Sequence, residues 1–275
     1  MAGKQTDSFA FGAENGPFIH AFRSLQEGAK TGLLAVMKKA FLFCALAAAT
    51  LSLVSYGADS APAIETDKAE EGFIELFNGK DLEGWTPSNE NPGSYSVKNG
   101  TLIVKGGKSH LFYSGPVKGA KFKDFELKAR VKTTAGSNGG IYFHTAIQGE
   151  GWPSQGYECQ VNSTHKDPKK TGSLYGVKNI VVLAEGQEPP KGGDSEVREK
   201  APSTDGEWFD YHITVKGKHI VIKVNGETTV DYTEPEGGPA AEGSPGRKLS
   251  EGTFGIQAHD PDSETHYERF AVKPL

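Results

Sequence analysis

Between Phe125 and Lys132 every odd-numbered residue is apolar and every even-numbered one is charged: Phe-Glu-Leu-Lys-Ala-Arg-Val-Lys. A helix would smear those charges around its whole circumference. A strand puts one row in a core and the other in water, so the pattern dictates a half-buried strand. Ile220–Val224 and Phe254–Ala258 approximate the same period. Asn99-Gly100 and Asn225-Gly226 sit between such runs and mark tight hairpin turns, because both central positions of that turn need positive φ. The 35 glycines and 15 prolines punctuate the chain too often for long helices. No amphipathic helical period stands out. The expected class is all-β, with two antiparallel sheets packed as a sandwich.

The N-terminal part follows a different logic. Met37-Lys38-Lys39 precedes an apolar run over Ala40–Val54, and Ser55-Tyr56-Gly57 supplies small residues for cleavage. That order describes a secretory signal over 37–57, and the run is short for a membrane span. The reading divides the chain into an upstream extension at 1–36 from a start codon placed too early, the signal peptide, a flexible leader at 58–71 and a single domain at 72–275. The mature protein is expected to be exported, to the periplasm or beyond, with no stable membrane span after cleavage. Cys44 leaves with the signal, so Cys159 has no partner for an internal disulfide.

Several functions are excluded or disfavoured. The net charge of -5 and the absence of a basic cluster argue against a nucleic-acid partner. No G-x-S-x-G elbow, H-E-x-x-H helix, paired cysteines at zinc spacing or glycine-rich phosphate loop occurs. Two stretches, Gly186–Gly206 and Glu234–Gly252, do not alternate. Loops of that length tend to be binding loops or disordered.

Candidate site residues cluster in three strand-like segments. Gly156–Asn162 alternates so that Glu158, Gln160 and Asn162 share one face, a carboxylate and two amides suited to sugar hydroxyls. In Gly140–Thr145 the same rule pairs Tyr142 with His144. Gln257 and His259 lie opposite the apolar row Phe254, Ile256 and Ala258. Trp152 offers an apolar plate for a sugar ring, and Tyr175 sits in a polar turn able to close one end of a cleft. The acidic run His259–Glu264 lacks the ligand spacing of a calcium loop.

Together these segments resemble a known family. Leu76-Phe77-Asn78-Gly79-Lys80-Asp81-Leu82-Glu83-Gly84-Trp85 is similar to the opening signature of the 3-keto-disaccharide hydrolase domain family. Asn138–His144, Gly151–Pro153, Gly156–Gln160, Thr171–Tyr175 and Gly255–Asp260 follow in that family's order. Departures include Glu268-Arg269 where an Arg-Asn pair is common, and Gly139 and Cys159 where many relatives carry Ser and an aliphatic residue. The resemblance implies a concanavalin A-like jelly roll and, as substrate, a glycoside whose sugar carries a ketone at C3.

Such a ketone acidifies the hydrogen on C2, and the resulting enolate can expel the C1 substituent. This route needs one base, a donor to the C3 oxyanion and an acid for the leaving oxygen. Glu158 or His144 is the expected base, Gln160 and His259 are the expected oxyanion donors, and Tyr142 or Tyr175 the acid. No cofactor is required by the sequence. A divalent metal held by His144, Glu158 and His259 is the alternative electrophile. Conventional hydrolysis would pair Glu158 with Asp260 or Glu268. A non-catalytic, lectin-like carbohydrate-binding module, with Trp152 and Tyr157 stacked on a glycan, is the competing function.

Overall fold

The computed structural model describes residues 70–239 and 245–275. The upstream extension, the signal segment and all but the last two residues of the leader lie outside the described residues. No helix among the described residues is long and apolar enough to cross a membrane.

The described chain forms β1 (Ile74–Glu75), β2 (Trp85–Pro87), β3 (Tyr95–Lys98), β4 (Thr101–Lys105), β5 (Ser109–Tyr113), β6 (Phe125–Thr133), β7 (Gly139–Thr145), β8 (Tyr157–Val161), β9 (Lys178–Val181), β10 (Asp194–Val197), β11 (Phe209–Lys216), β12 (His219–Val224), β13 (Glu227–Thr233), β14 (Thr253–Ala258) and β15 (Glu264–Pro274). One antiparallel sheet runs β13-β12-β11-β6-β15-β4-β3, with β1 added along β15. The second runs β2-β5-β14-β7-β8. A short parallel pair, β9 with β10, stands apart. The architecture is an all-β jelly-roll sandwich of concanavalin A type.

The two sheets differ in what their strands bury. On β6, Phe125, Leu127, Ala129, Val131 and Thr133 are buried while the residues between them reach solvent, as the alternation requires. β11 and β12 behave likewise. Across the sandwich, Phe125 meets Phe143 edge-on at 5.7 Å, and Trp85 and Phe254 both meet Phe270, at 5.2 and 6.0 Å. Both expected hairpin turns are present, with Asn99 and Gly100 at φ 52° and 80°, and Asn225 and Gly226 at 50° and 81°.

In the five-stranded sheet, β5, β7, β8 and β14 are buried on both faces. The inner face carries Ile141, Phe143, Tyr157, Cys159, Val161, Phe254 and Ile256 into the core. The outer face carries His110, Tyr142, Glu158, Gln160 and Gln257, all buried although polar. So many buried polar groups on one sheet face need partners, which makes this face the place to look for a ligand site.

Candidate functional site

A cavity of about 400 Å³ opens on the outer face of the five-stranded sheet. Its floor is Tyr142, Glu158, Gln160 and Gln257, and its walls include Trp152, Asp167, Tyr175, Arg247 and His259. Register brings the floor together. Tyr142 on β7 faces Glu158 on β8, Gly140 faces Gln160, and β14 lies on the other side of β7. Gly140 leaves the space in which these groups meet: a Cβ there would stand 2.5 Å from Glu158 Oε1.

Glu158 lies at the centre of a closed hydrogen-bond set. The Tyr142 hydroxyl donates to Oε2 at 2.7 Å, and Gln257 Nε2 donates to Oε1 at 2.9 Å. Gln257 Nε2 also donates to the Tyr142 oxygen at 3.0 Å. Both donations to Glu158 demand acceptor oxygens, which a carboxylate supplies. Burial raises the pKa of Glu158, opposed by the bonds from Tyr142 and Gln257 and by the charge of Arg247. Tyr142 is pushed well above the usual phenol value by burial and then by the Glu158 charge. The carbonyl oxygens of Gln160 and Gln257 are buried without a partner. Gln160 Nε2 turns to Asn138 Oδ1 at 2.9 Å.

The walls carry the remaining charges. His259 Nδ1 bonds Asp260 Oδ2 at 2.7 Å. Burial works against ionisation of Asp260, but bonds from His259, Ser263 and the Asp262 amide outweigh it and lower its pKa. Nδ1 of His259 is therefore the donor, which leaves Nε2 as the ring nitrogen turned to a ligand. Trp152, 49% exposed, lies 5.5 Å from the His259 ring. Tyr175 has a hydroxyl 3.4 Å from Asp167 Oδ2, and burial, followed by the Asp167 charge, raises its pKa to about 12. Lys169 lies over the Tyr175 ring at 3.9 Å and Arg247 is near the same ring at 5.9 Å.

Of the residues expected from sequence, Glu158, Gln160, Trp152, Tyr142, Tyr175, Gln257 and His259 line the cavity together. His144 and Asn162 do not. His144 adopts φ 55°, which breaks the alternation that would have paired it with Tyr142. Its ring is buried between Phe125 and Phe143, with Nε2 on the Lys123 carbonyl at 2.8 Å and Nδ1 accepting the Ser250 amide at 3.1 Å. Asn162 follows the last residue of β8 and ties down the next loop. Its Nδ2 donates to the carbonyls of Asp167 and Lys169, and its Oδ1 accepts the His165 amide. Tyr157, the other proposed stacking surface, is wholly buried in the core with its hydroxyl on Glu234.

A metal set of His144, Glu158 and His259 is thus not assembled. Among the described residues, His165, His259 and Asp260 form the group whose ligand atoms lie within 4.8 Å of one another. They suit a directly bound cation poorly. Asp260 accepts from His259, from Ser263 Oγ and from the amides of Asp262 and Ser263. His165 Nδ1 accepts the Asp167 amide at 3.1 Å, which in the neutral ring puts the proton on Nε2. Only His259 Nε2 remains an uncommitted ligand atom of the three.

Sequence reasoning missed Arg247 and Asp167. Arg247 lies in the non-alternating stretch Glu234–Gly252, where the one available signal was loop length. The loop seats closely: the Gly156 amide donates to the Gly246 carbonyl at 3.0 Å, and a Cβ at Gly246 would collide with the Ser154 carbonyl. The other long stretch, Gly186–Gly206, forms β10 and supplies no cavity residue.

Residues 72–273 match the 3-keto-alpha-glucoside-1,2-lyase-like domain. No curated protein is matched by the sequence. Among solved structures, a candidate glycosyl hydrolase from Parabacteroides distasonis superposes with a TM-score of 0.53 at 22% identity, over 74% of this chain and 94% of its own. A second from the same organism gives 0.52 at 20% identity, over 74% and 99%. At that identity the likeness establishes the fold.

Proposed function

Because the chain belongs to the family of 3-keto-alpha-glucoside-1,2-lyase-like domains, we propose that it cleaves the glycosidic bond of 3-keto-glycosides by elimination across C1 and C2. The observation that carries this reading is Glu158, a buried carboxylate fixed by Tyr142 and Gln257 on the floor of a cavity of sugar-sized volume. Glu158 takes the C2 proton. The electron pair left on C2 forms the C2–C3 double bond and moves charge to the C3 oxygen. As the C3 ketone re-forms, the C1–C2 double bond forms and the C1–O bond breaks. The leaving oxygen takes a proton from Tyr175, whose bond to Asp167 is long at 3.4 Å, whereas the Tyr142 proton is held on Glu158 at 2.7 Å. Glu158 then returns its proton to solvent, from which Tyr175 is resupplied. Addition of water across the new double bond would complete a net hydrolysis. Burial raises the basicity of Glu158 toward what a general base needs near neutral pH.

Ordinary glycoside hydrolysis needs a second carboxylate across the ring. Asp260 is bound up with His259, and Glu268 forms an exposed pair with Arg130. Neither lines the cavity, and Asp167, which does, is engaged by the Tyr175 hydroxyl and the Lys169 amide. The lectin-like alternative keeps one supporting observation, the half-exposed Trp152 at the cavity wall. With Met37–Gly57 read as a signal, the reaction takes place outside the cytoplasm.

The test is incubation of the purified protein with a 3-keto-glucoside and its parent glucoside in heavy water. Cleavage of the keto sugar alone, deuterium at C2, and loss of both in Glu158→Gln are expected. Binding without turnover by the native protein would establish the lectin-like reading instead.

A further inference from the structure

The elimination leaves one role unassigned, the group that receives negative charge on the C3 oxygen. Resting on that elimination, we infer that Arg247 is this group: its guanidinium binds the C3 carbonyl and stabilises the enolate, while the sugar hydroxyls face the floor. The cavity floor cannot take the ketone. Both Glu158 oxygens are acceptors, and Gln257 has both amide protons committed, to Glu158 and to Tyr142. The atoms the two glutamines leave unpartnered are carbonyl oxygens. A ketone or enolate oxygen placed beside those oxygens would meet acceptors, whereas hydroxyl groups would satisfy them.

The expected donors are neutral or already engaged in part. Gln160 spends one of its two amide protons on Asn138, and the Nδ1 proton of His259 is held by Asp260. Among the described residues lining the cavity Arg247 is the one permanent cation, and a full positive charge stabilises an enolate more than the neutral amides of Asn138 and Gln160 can. Its Nη1 is anchored on the Tyr175 carbonyl. Its charge is felt by both Glu158 and Tyr142. Yet no guanidinium nitrogen of Arg247 comes within 4.0 Å of a Glu158 oxygen. Two opposite charges that attract across a cavity without touching leave room for a ligand between them. With C2 toward Glu158 and O3 toward Arg247, the charge that leaves the carboxylate on protonation reappears beside the guanidinium. No atom is gained or lost by this assignment; it fixes where the enolate charge resides.

The experiment uses methyl 3-keto-glucoside, whose poor leaving group isolates proton abstraction, and 4-nitrophenyl 3-keto-glucoside, whose cleavage is followed by colour. Deuterium exchange at C2 and nitrophenol release are measured for native protein, Arg247→Lys and Arg247→Ala. The alanine variant should lose about a thousandfold in both rates, with KM changed far less, as when an oxyanion donor is removed. Lysine should keep part of the rate, and added guanidinium, but not ammonium, should restore part of it to the alanine variant. An alanine variant within tenfold of native protein in exchange overturns the assignment and leaves the elimination standing. Native protein that neither exchanges nor cleaves either sugar overturns both.

Discussion

The ring of His144 accepts the Ser250 amide at 3.1 Å, three residues along the chain from Arg247. A histidine that the alternation of β7 would place in the site thus acts from behind it, holding the loop that carries a cavity cation. A second clasp lies nearby: the Leu249 amide donates to Glu234 Oε2, which also receives the Tyr157 hydroxyl. Exchange of His144 should therefore lower stability first and turnover second. His144→Asn tolerates the positive φ but cannot span both the Lys123 carbonyl and the Ser250 amide. It should lose about 2 kcal/mol through unsatisfied buried groups. Urea unfolding with parallel kinetics checks this; a stable variant with thousandfold lower turnover would mean that the ring acts on substrate.

Glu158→Gln should abolish turnover by at least a thousandfold while leaving the fold and most substrate affinity in place. The amide still accepts from Tyr142, and Gln257 can turn its free carbonyl to the new NH2 group. Steady-state kinetics and calorimetric binding of an inert glycoside separate the two effects.

Gly140→Ala tests the space beneath the carboxylate. Its methyl group would stand 2.5 Å from Glu158 Oε1 and 3.0 Å from Cγ, so the side chain must move. Stability should fall by about 1–3 kcal/mol, as for other overpacked positions, with a larger loss in kcat than in affinity. Thermal unfolding and kinetics on the same preparation provide the comparison.

Trp152→Ala should raise KM about tenfold with little change in Tm, because the ring is half exposed and adds little to the core. An unchanged KM would remove Trp152 from the sugar-binding surface.

His110 predicts the acid limb of stability. Both of its ring nitrogens are buried without partners, and burial lowers its pKa to about 4. Below the ordinary histidine value of about 6.5, the unfolded chain binds a proton that the folded chain refuses. Stability should therefore fall between about pH 6.5 and 4, by roughly 3 kcal/mol in all from this group. His110→Phe should flatten that limb, as read from urea midpoints at each pH.

The strands of the solvent-backed sheet were legible because burial of one face leaves a period of two, and β6 shows it residue by residue. The cavity floor was partly legible: Glu158, Gln160 and Gln257 are polar groups in otherwise apolar strands, placed by alternation on the face opposite the core. The alternation failed at His144, because a positive φ is not encoded by residue type there. Asn162 was misplaced for a related reason, since β8 ends at Val161 and the next side chain belongs to a loop. Arg247 had no period to reveal it; its position depends on contacts with Ser154, Gly156 and Tyr175, all remote in sequence.

The uneven burial of the two sheets bears on how this protein can be engineered. On β6, β11 and β12 the outward row reaches solvent and is held by surface pairs such as Arg130 with Asp210 and His212 with Glu126, so charges there can be exchanged pair by pair to raise heat tolerance or alter solubility. In β7, β8 and β14 no residue is idle: a swelling on the inner side of Ile141 or Cys159 would tilt the strand under Tyr142 or Glu158. Thermostability and specificity can be sought on separate halves of one sandwich, with each library confined to its own sheet.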